Sequence, residues 1–111
     1  VSLFIDPVRK QIVRSKEAGV SIIELHTGRY ACVKTAFARR RELDQIKQMT
    51  AFASRIGLTV NAGHGLKYHN VEAIARIPGI EELNIGHSII SHAVFVGLEQ
   101  AVRKMANIVH G

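Results

Sequence analysis

The chain contains one cysteine, Cys32, no tryptophan and only two tyrosines in 111 residues. A single thiol excludes an internal disulfide framework and a cysteine-rich zinc site, and it fits a reducing compartment. No apolar stretch approaches the roughly 18 residues that a membrane span requires. No basic segment followed by an apolar one opens the sequence, so a secretory signal is not expected and a cytoplasmic location is. Aromatic residues amount to 5%, and they are not interleaved with clustered cations as nucleic-acid binders arrange them. The basic run Arg39-Arg40-Arg41 is followed at once by Glu42 and Asp44, which reads as a solvated helix face. Neither nucleic acid nor a membrane is expected as a partner.

What is present is an ordinary globular balance, 47% hydrophobic and 22% charged, at the length of one small domain or part of a larger one. The formal charge of +6 leaves room for small anionic ligands, phosphorylated ones among them. Val1-Ser2-Leu3-Phe4-Ile5 begins inside a buried-strand pattern without an initiator methionine. The chain is therefore expected to be a piece of a longer protein.

Four strand-then-helix units follow one another. Residues 1–5 form a short apolar run of strand length, and Asp6-Pro7 then suggests an N-cap with proline at the first helical position. Val8, Ile12 and Val13 supply the apolar stripe, and Gly19 a left-handed stop. Residues 20–25 repeat the strand pattern and end at His26-Thr27-Gly28. A long helix over about 35–56 is predicted next, with Leu43, Ile46, Met49, Ala53 and Ile56 near one face and Gly57 closing it. The third strand spans 58–62. Asn70 is expected to cap a short helix that Pro78 stops. The fourth strand spans 82–85, and a last helical segment runs toward Val109, broken near Gly97.

Strands apolar on both faces, alternating with helices, imply parallel βαβ units with right-handed crossovers. Four such units make either a thin, doubly wound sheet or half of an eight-stranded (β/α)8 barrel of the TIM type. A half barrel accounts better for a beginning in mid-strand. Residues 1–111 are thus expected to be about four βα units, half of one barrel domain.

In such folds the C-terminal ends of the strands carry the chemistry, and the unusual polar residues fall there. Glu24 and His26, two apart, share one face of the second strand. Glu24 lies among Ile22, Ile23 and Leu25, so it is expected to be desolvated and to need a partner. Either it is tied to a nearby Lys or Arg, or it serves acid–base chemistry beside a histidine. His64 sits between Gly63 and Gly65. That pattern suits a solvent-exposed turn as well as close approach to a ligand. Gly86-His87-Ser88 opens a helix, where backbone N–H groups favour a phosphate, although a simple cap has the same form. His69, beside Asn70, suits capping; His92 lies in a helical run and His110 at the terminus. The histidine spacing does not suggest a metal site, and Cys32 has no activating arrangement around it.

Three blocks carry a resemblance: IIELHTGRYA (22–31), LTVNAGHGLKYHNV (58–71) and ELNIGHSII (82–90). With the opening VSLFIDP, they closely resemble the pyridoxine 5′-phosphate synthase family over essentially the whole chain. The resemblance implies a (β/α)8 barrel with extra helices, of which this is the C-terminal half. It implies condensation of 1-deoxy-D-xylulose 5-phosphate with 3-amino-2-oxopropyl phosphate, without cofactor or metal, in an enzyme that forms multimers of dimers. On that resemblance His64 is the proton donor and Glu24 the acidic residue stabilising the transition state. Gly65, Gly86 and His87 are then the contacts to the aminoketone phosphate. The roles of His26, His69 and Arg29 are not implied.

The remaining catalytic histidine and glutamate of the family belong to an N-terminal half not contained in this sequence. The 111 residues alone are therefore expected to be inactive, and their two unpaired sheet edges to favour self-association. The competing possibilities are another phosphate-binding barrel enzyme acting on a sugar phosphate, and a non-catalytic anion-binding α/β module.

Overall fold

The computed structural model describes residues 2–111. Its first strand, β1 (Ser2–Ile5), is followed by helix α1 (Arg9–Glu17). Helix α1 starts later than the Asp6-Pro7 signal suggests. The Val8 N–H donates to the Asp6 carbonyl at 2.7 Å, a tight turn centred on Pro7, and Val8 stays extended as the N-cap. Gln11 rather than a capping aspartate closes this corner, its Oε1 accepting from the Asp6 N–H. Val8 is consequently exposed, and Ile12 with the half-buried Val13 forms the inward stripe. The end of α1 follows expectation. Gly19 takes φ +84°, and the N–H groups of Gly19 and Val20 donate to Lys16 and Ser15, the paired bonds of a Schellman motif.

Strand β2 (Ile22–His26) leads into α2 (Gly28–Cys32), a short helix that the sequence pattern does not predict, and then into α3 (Ala36–Arg55). Thr35 caps α3 through Oγ1, which accepts from the Ala38 N–H at 3.1 Å. The later elements are β3 (Thr59–Gly63), α4 (Val71–Ala75), β4 (Ile80–Asn84), α5 (His87–Val96) and α6 (Leu98–His110). Helices α5 and α6 part at Gly97, as its position suggests. Strand limits differ by one or two residues from those expected. Val1, counted there in the first strand, lies outside the described residues.

All pairings are parallel, and the strands lie in chain order, β1-β2-β3-β4. A doubly wound sheet reverses its order at a switch point. Consecutive order with right-handed crossovers instead places every connecting helix on one face. That face is the core: Ile23, Leu25, Val60 and Ala62 are fully buried in one cluster with Ile12, Ile46, Ala53 and Ile74. Burying each large aliphatic side chain contributes about 1.5–3 kcal/mol.

The opposite face corrects the expectation of strands apolar on both sides. It carries Phe4, Glu24, His26, Asn61, Gly63 and Asn84, and no helix among the described residues covers it. Alternation decides this: residues two apart share a face, so one set packs under helices while the other forms a polar wall. Among the described residues, β1 and β4 are each paired on one side only. The result is an open α/β unit, consistent with part of a barrel. Among the described residues no helix is long and apolar enough to cross a membrane.

Candidate active site

The polar wall ends in three turns: after β2 at His26-Thr27-Gly28, after β3 from His64 to Asn70, and after β4 from Ile85 to Ser88. A cavity of about 420 Å³ lies between the second and third of these. Glu24, His64, Gly65, Gly86 and His87, the residues singled out by sequence, all line it, together with Lys67. A second cavity, about 560 Å³, runs beside β4 against α6 and is walled largely by Ile80, Leu83, Met105 and Val109. It sits at the sheet edge, and none of those five residues lines it.

Glu24 is half-buried, and its partner is neither Lys nor Arg. The side-chain amide of Asn84, two strands away, donates to Glu24 Oε1. The two meet because Gly63 lies between them. A Cβ at Gly63 would stand 2.8 Å from Glu24 Oε2 and 3.0 Å from the Asn84 carbonyl oxygen. The glycine that ends β3 thus has a specific cause: it is the gap through which β2 reaches β4. Nothing in the local sequence around Glu24 signals Asn84, which lies in another strand unit.

His64 has φ +88°. An L-residue in left-handed backbone costs about 1–2 kcal/mol, so the surroundings must hold it there. Thr27 meets it from the neighbouring turn: it is fully buried, and its hydroxyl lies 2.6 Å from the His64 carbonyl oxygen and 2.8 Å from that of Gly63. The His64 ring stacks on His26 at 4.3 Å between centroids, and His26 packs in turn on Phe4 at 4.8 Å. His26 Nδ1 accepts from the Gly28 N–H at 3.0 Å. A backbone N–H can only donate, so Nδ1 is the acceptor and the neutral ring carries its hydrogen on Nε2. A Cβ at Gly28 would collide with His26 and would lie 3.0 Å from His64. Gly28 therefore makes room for both rings.

The loop beyond His64 hangs on Asn70. Its Oδ1 accepts from the Lys67 N–H at 2.7 Å, its Nδ2 donates to the Gly65 carbonyl at 3.3 Å, and its own carbonyl accepts from the Tyr30 hydroxyl at 2.6 Å. Asn70 does occupy the N-cap position of α4, but its side chain turns back into the loop and makes no cap bond. Burial raises the Tyr30 phenol above its ordinary pKa, with the charge of Arg39 acting the other way. Gly65 is constrained by packing as well: it has φ +75°, and an added Cβ would lie only 2.8 Å from Ala31 Cβ on α2.

At the third turn, a Cβ on Gly86 would meet nothing within 4 Å, so the space above the start of α5 is free. The first N–H groups of α5 have no acceptor within the helix and can receive an anion. Ser88 Oγ is already engaged, donating to the Leu66 carbonyl at 2.9 Å and tying α5 to the His64 loop. Other sequence candidates lie elsewhere: Arg29 is exposed and pairs with Glu42 at 3.5 Å, and the His92 ring packs on Tyr68 at 4.9 Å. Among the described residues no group of three His, Cys, Asp or Glu could hold a metal ion.

The arrangement supplies a histidine and a carboxylate for proton transfer beside an anion-accepting helix start. The family model described as pyridoxal phosphate biosynthesis protein PdxJ matches residues 1–111. A pyridoxine 5′-phosphate synthase of Coxiella burnetii (strain Dugway 5J108-111) is 55% identical over 111 residues, covering 100% of this chain and 46% of that protein. One from Synechococcus sp. (strain JA-2-3B'a(2-13)) is 58% identical over 105 residues, 95% of this chain and 44% of the relative. One from Alcanivorax borkumensis is 55% identical over 108 residues, 97% and 44% respectively. The chain spans about half the length of the curated relatives it matches. Matched over its whole length by the family model, this chain belongs to the PdxJ family of pyridoxal phosphate biosynthesis proteins.

Proposed function

We propose that this chain is the C-terminal half of a (β/α)8-barrel pyridoxine 5′-phosphate synthase. The complete enzyme condenses 1-deoxy-D-xylulose 5-phosphate with 3-amino-2-oxopropyl phosphate to pyridoxine 5′-phosphate, releasing phosphate and water. The observation that carries this is convergence: five residues from three strand units, selected by sequence, line one cavity at the strand ends.

Schiff-base formation, dehydration and ring closure each require protons moved on and off oxygen and carbon. His64 donates the proton, and Glu24, oriented by Asn84, stabilises developing positive charge. Gly65, Gly86 and His87 bind the aminoketone phosphate, with the free N–H groups of α5 directed at its oxygens. Lys67 adds fixed positive charge at the same rim. The other catalytic groups come from the half of the barrel that pairs with β1 and β4. Small phosphorylated substrates are its ligands, the complete protein assembles as a homo-oligomer in the cytoplasm, and the chemistry calls for no cofactor or metal.

The test is turnover of the two substrates by the complete protein, followed through the pyridoxine 5′-phosphate chromophore. His64→Asn should lower turnover by about 10²–10⁴-fold while inorganic phosphate binds with nearly unchanged affinity. Undiminished turnover in that variant would overturn the assignment of His64, and no product from the unsubstituted protein would overturn the function.

A further inference from the structure

Thr27 has no part in the chemistry described so far, yet it is fully buried and both its donors serve the His64 loop. Its N–H donates to the Gly63 carbonyl at 2.9 Å. Its hydroxyl lies 2.8 Å from that same oxygen and 2.6 Å from the His64 carbonyl oxygen. One hydroxyl carries one proton. The Gly63 oxygen already receives an N–H, so the shorter contact, to His64, takes the hydroxyl proton.

These two carbonyls belong to the peptide planes on either side of the His64 α-carbon. Peptide units are rigid, so the only freedom between them is the φ and ψ of His64. Holding both planes therefore holds the residue. The need is plain from its conformation: among the described residues, His64 is the one non-glycine with positive φ. Released, it would be expected to return to negative φ, and its ring would swing away from the stack with His26.

We propose that Thr27 is a positioning residue: its hydroxyl locks His64 in left-handed backbone and thereby aims the imidazole into the cavity beside Glu24. The inference rests on the proposed role of His64 as proton donor. His26 steadies the same ring from its face, across the space that Gly28 leaves. Valine at position 27 keeps the branched shape and removes the hydroxyl, while serine keeps the hydroxyl and removes a methyl.

The experiment has two arms on the complete protein. In kinetics, Thr27→Val lowers kcat by about tenfold or more, leaves KM for both substrates within about twofold, and Thr27→Ser restores turnover. In NMR, a residue of positive φ shows a strong intraresidue HN–Hα NOE. That signal is expected at His64 in the unsubstituted protein and in Thr27→Ser, and is lost in Thr27→Val while the sheet NOEs persist. Should valine disturb the sheet, Thr27→Ala serves as the hydroxyl-free variant. An NOE that survives without the hydroxyl overturns the lock, and a lost NOE with unchanged kcat overturns the positioning role. If the unsubstituted protein forms no pyridoxine 5′-phosphate, the proposed function fails instead, and the NOE decides the lock by itself.

Discussion

Glu24 and Asn84 stand on strands that are not neighbours, and they meet by hydrogen bond across the bare backbone of Gly63 on the strand between them. The carboxylate is thereby oriented by an uncharged amide, which fixes its direction without neutralising its charge.

A methyl group at Gly63 would enter this contact and also press on the Asn84 backbone, which cannot swing aside. Gly63→Ala should destabilise the fold by about 1–3 kcal/mol and lower turnover with it. Gly86→Ala is the informative contrast, because its Cβ has open space within the chain. There, the unfolding free energy from urea titration should change by less than about 0.5 kcal/mol, while affinity for inorganic phosphate falls. Equal losses of stability at the two glycines would contradict the geometry.

Tyr30 predicts an alkaline signature. Its phenol is raised by burial, so on unfolding it releases its proton at a lower pH than in the fold. As pH climbs past the ordinary tyrosine value, the unfolded state binds fewer protons and stability declines; below that value its contribution is intact. Tyr30→Phe should cost about 1 kcal/mol at neutral pH, since the Asn70 carbonyl loses its donor. The same variant should show a shallower loss of stability at alkaline pH, read from urea midpoints across that range.

Thr50 is fully buried on α3, and its Oγ1 has no hydrogen-bond partner among the described residues. Valine has nearly the same shape and no hydroxyl to desolvate. Thr50→Val should therefore leave thermal stability unchanged or raise it by about 1 kcal/mol. A clear loss would mean that the hydroxyl is satisfied in solution.

The 111-residue chain assayed alone should form no pyridoxine 5′-phosphate from the two substrates, whereas the complete protein should. Comparable turnover by the two would place the whole active site within these four strands.

The parts of the fold written in local pattern were legible. Apolar runs of strand length, the start of a long helix near Thr35 and the Gly19, Gly57 and Gly97 stops all correspond to observed features, because each depends on residues a few positions apart. Helix α2 was not legible: five residues beginning with glycine have no apolar periodicity to display. The start of α1 was misplaced because Asp6-Pro7 closes a turn of its own before the helix begins. At the site, the glycine-flanked His64 and the Gly86-His87 pair could be picked out, since unusual residues at strand ends are visible in one dimension. The contacts made by Thr27 and Asn84 could not, for their partners lie on other strand units and only the register brings them together. Gly65 is visible as a glycine beside His64, but its contact with Ala31 is not, because that contact exists only once α2 has formed.

The consecutive strand order also bears on how the chain acquires its shape. Among the described strands every sheet contact joins a strand to the next one made, so each pairing closes one crossover connection and none of these pairings waits for a distant segment. During synthesis, β2 and the turn bearing Thr27 emerge before β3, and β4 with Asn84 emerges after all three of the other described strands. His64 is thus delivered to a grip that has already been made, and Glu24 receives its partner only when the fourth strand arrives.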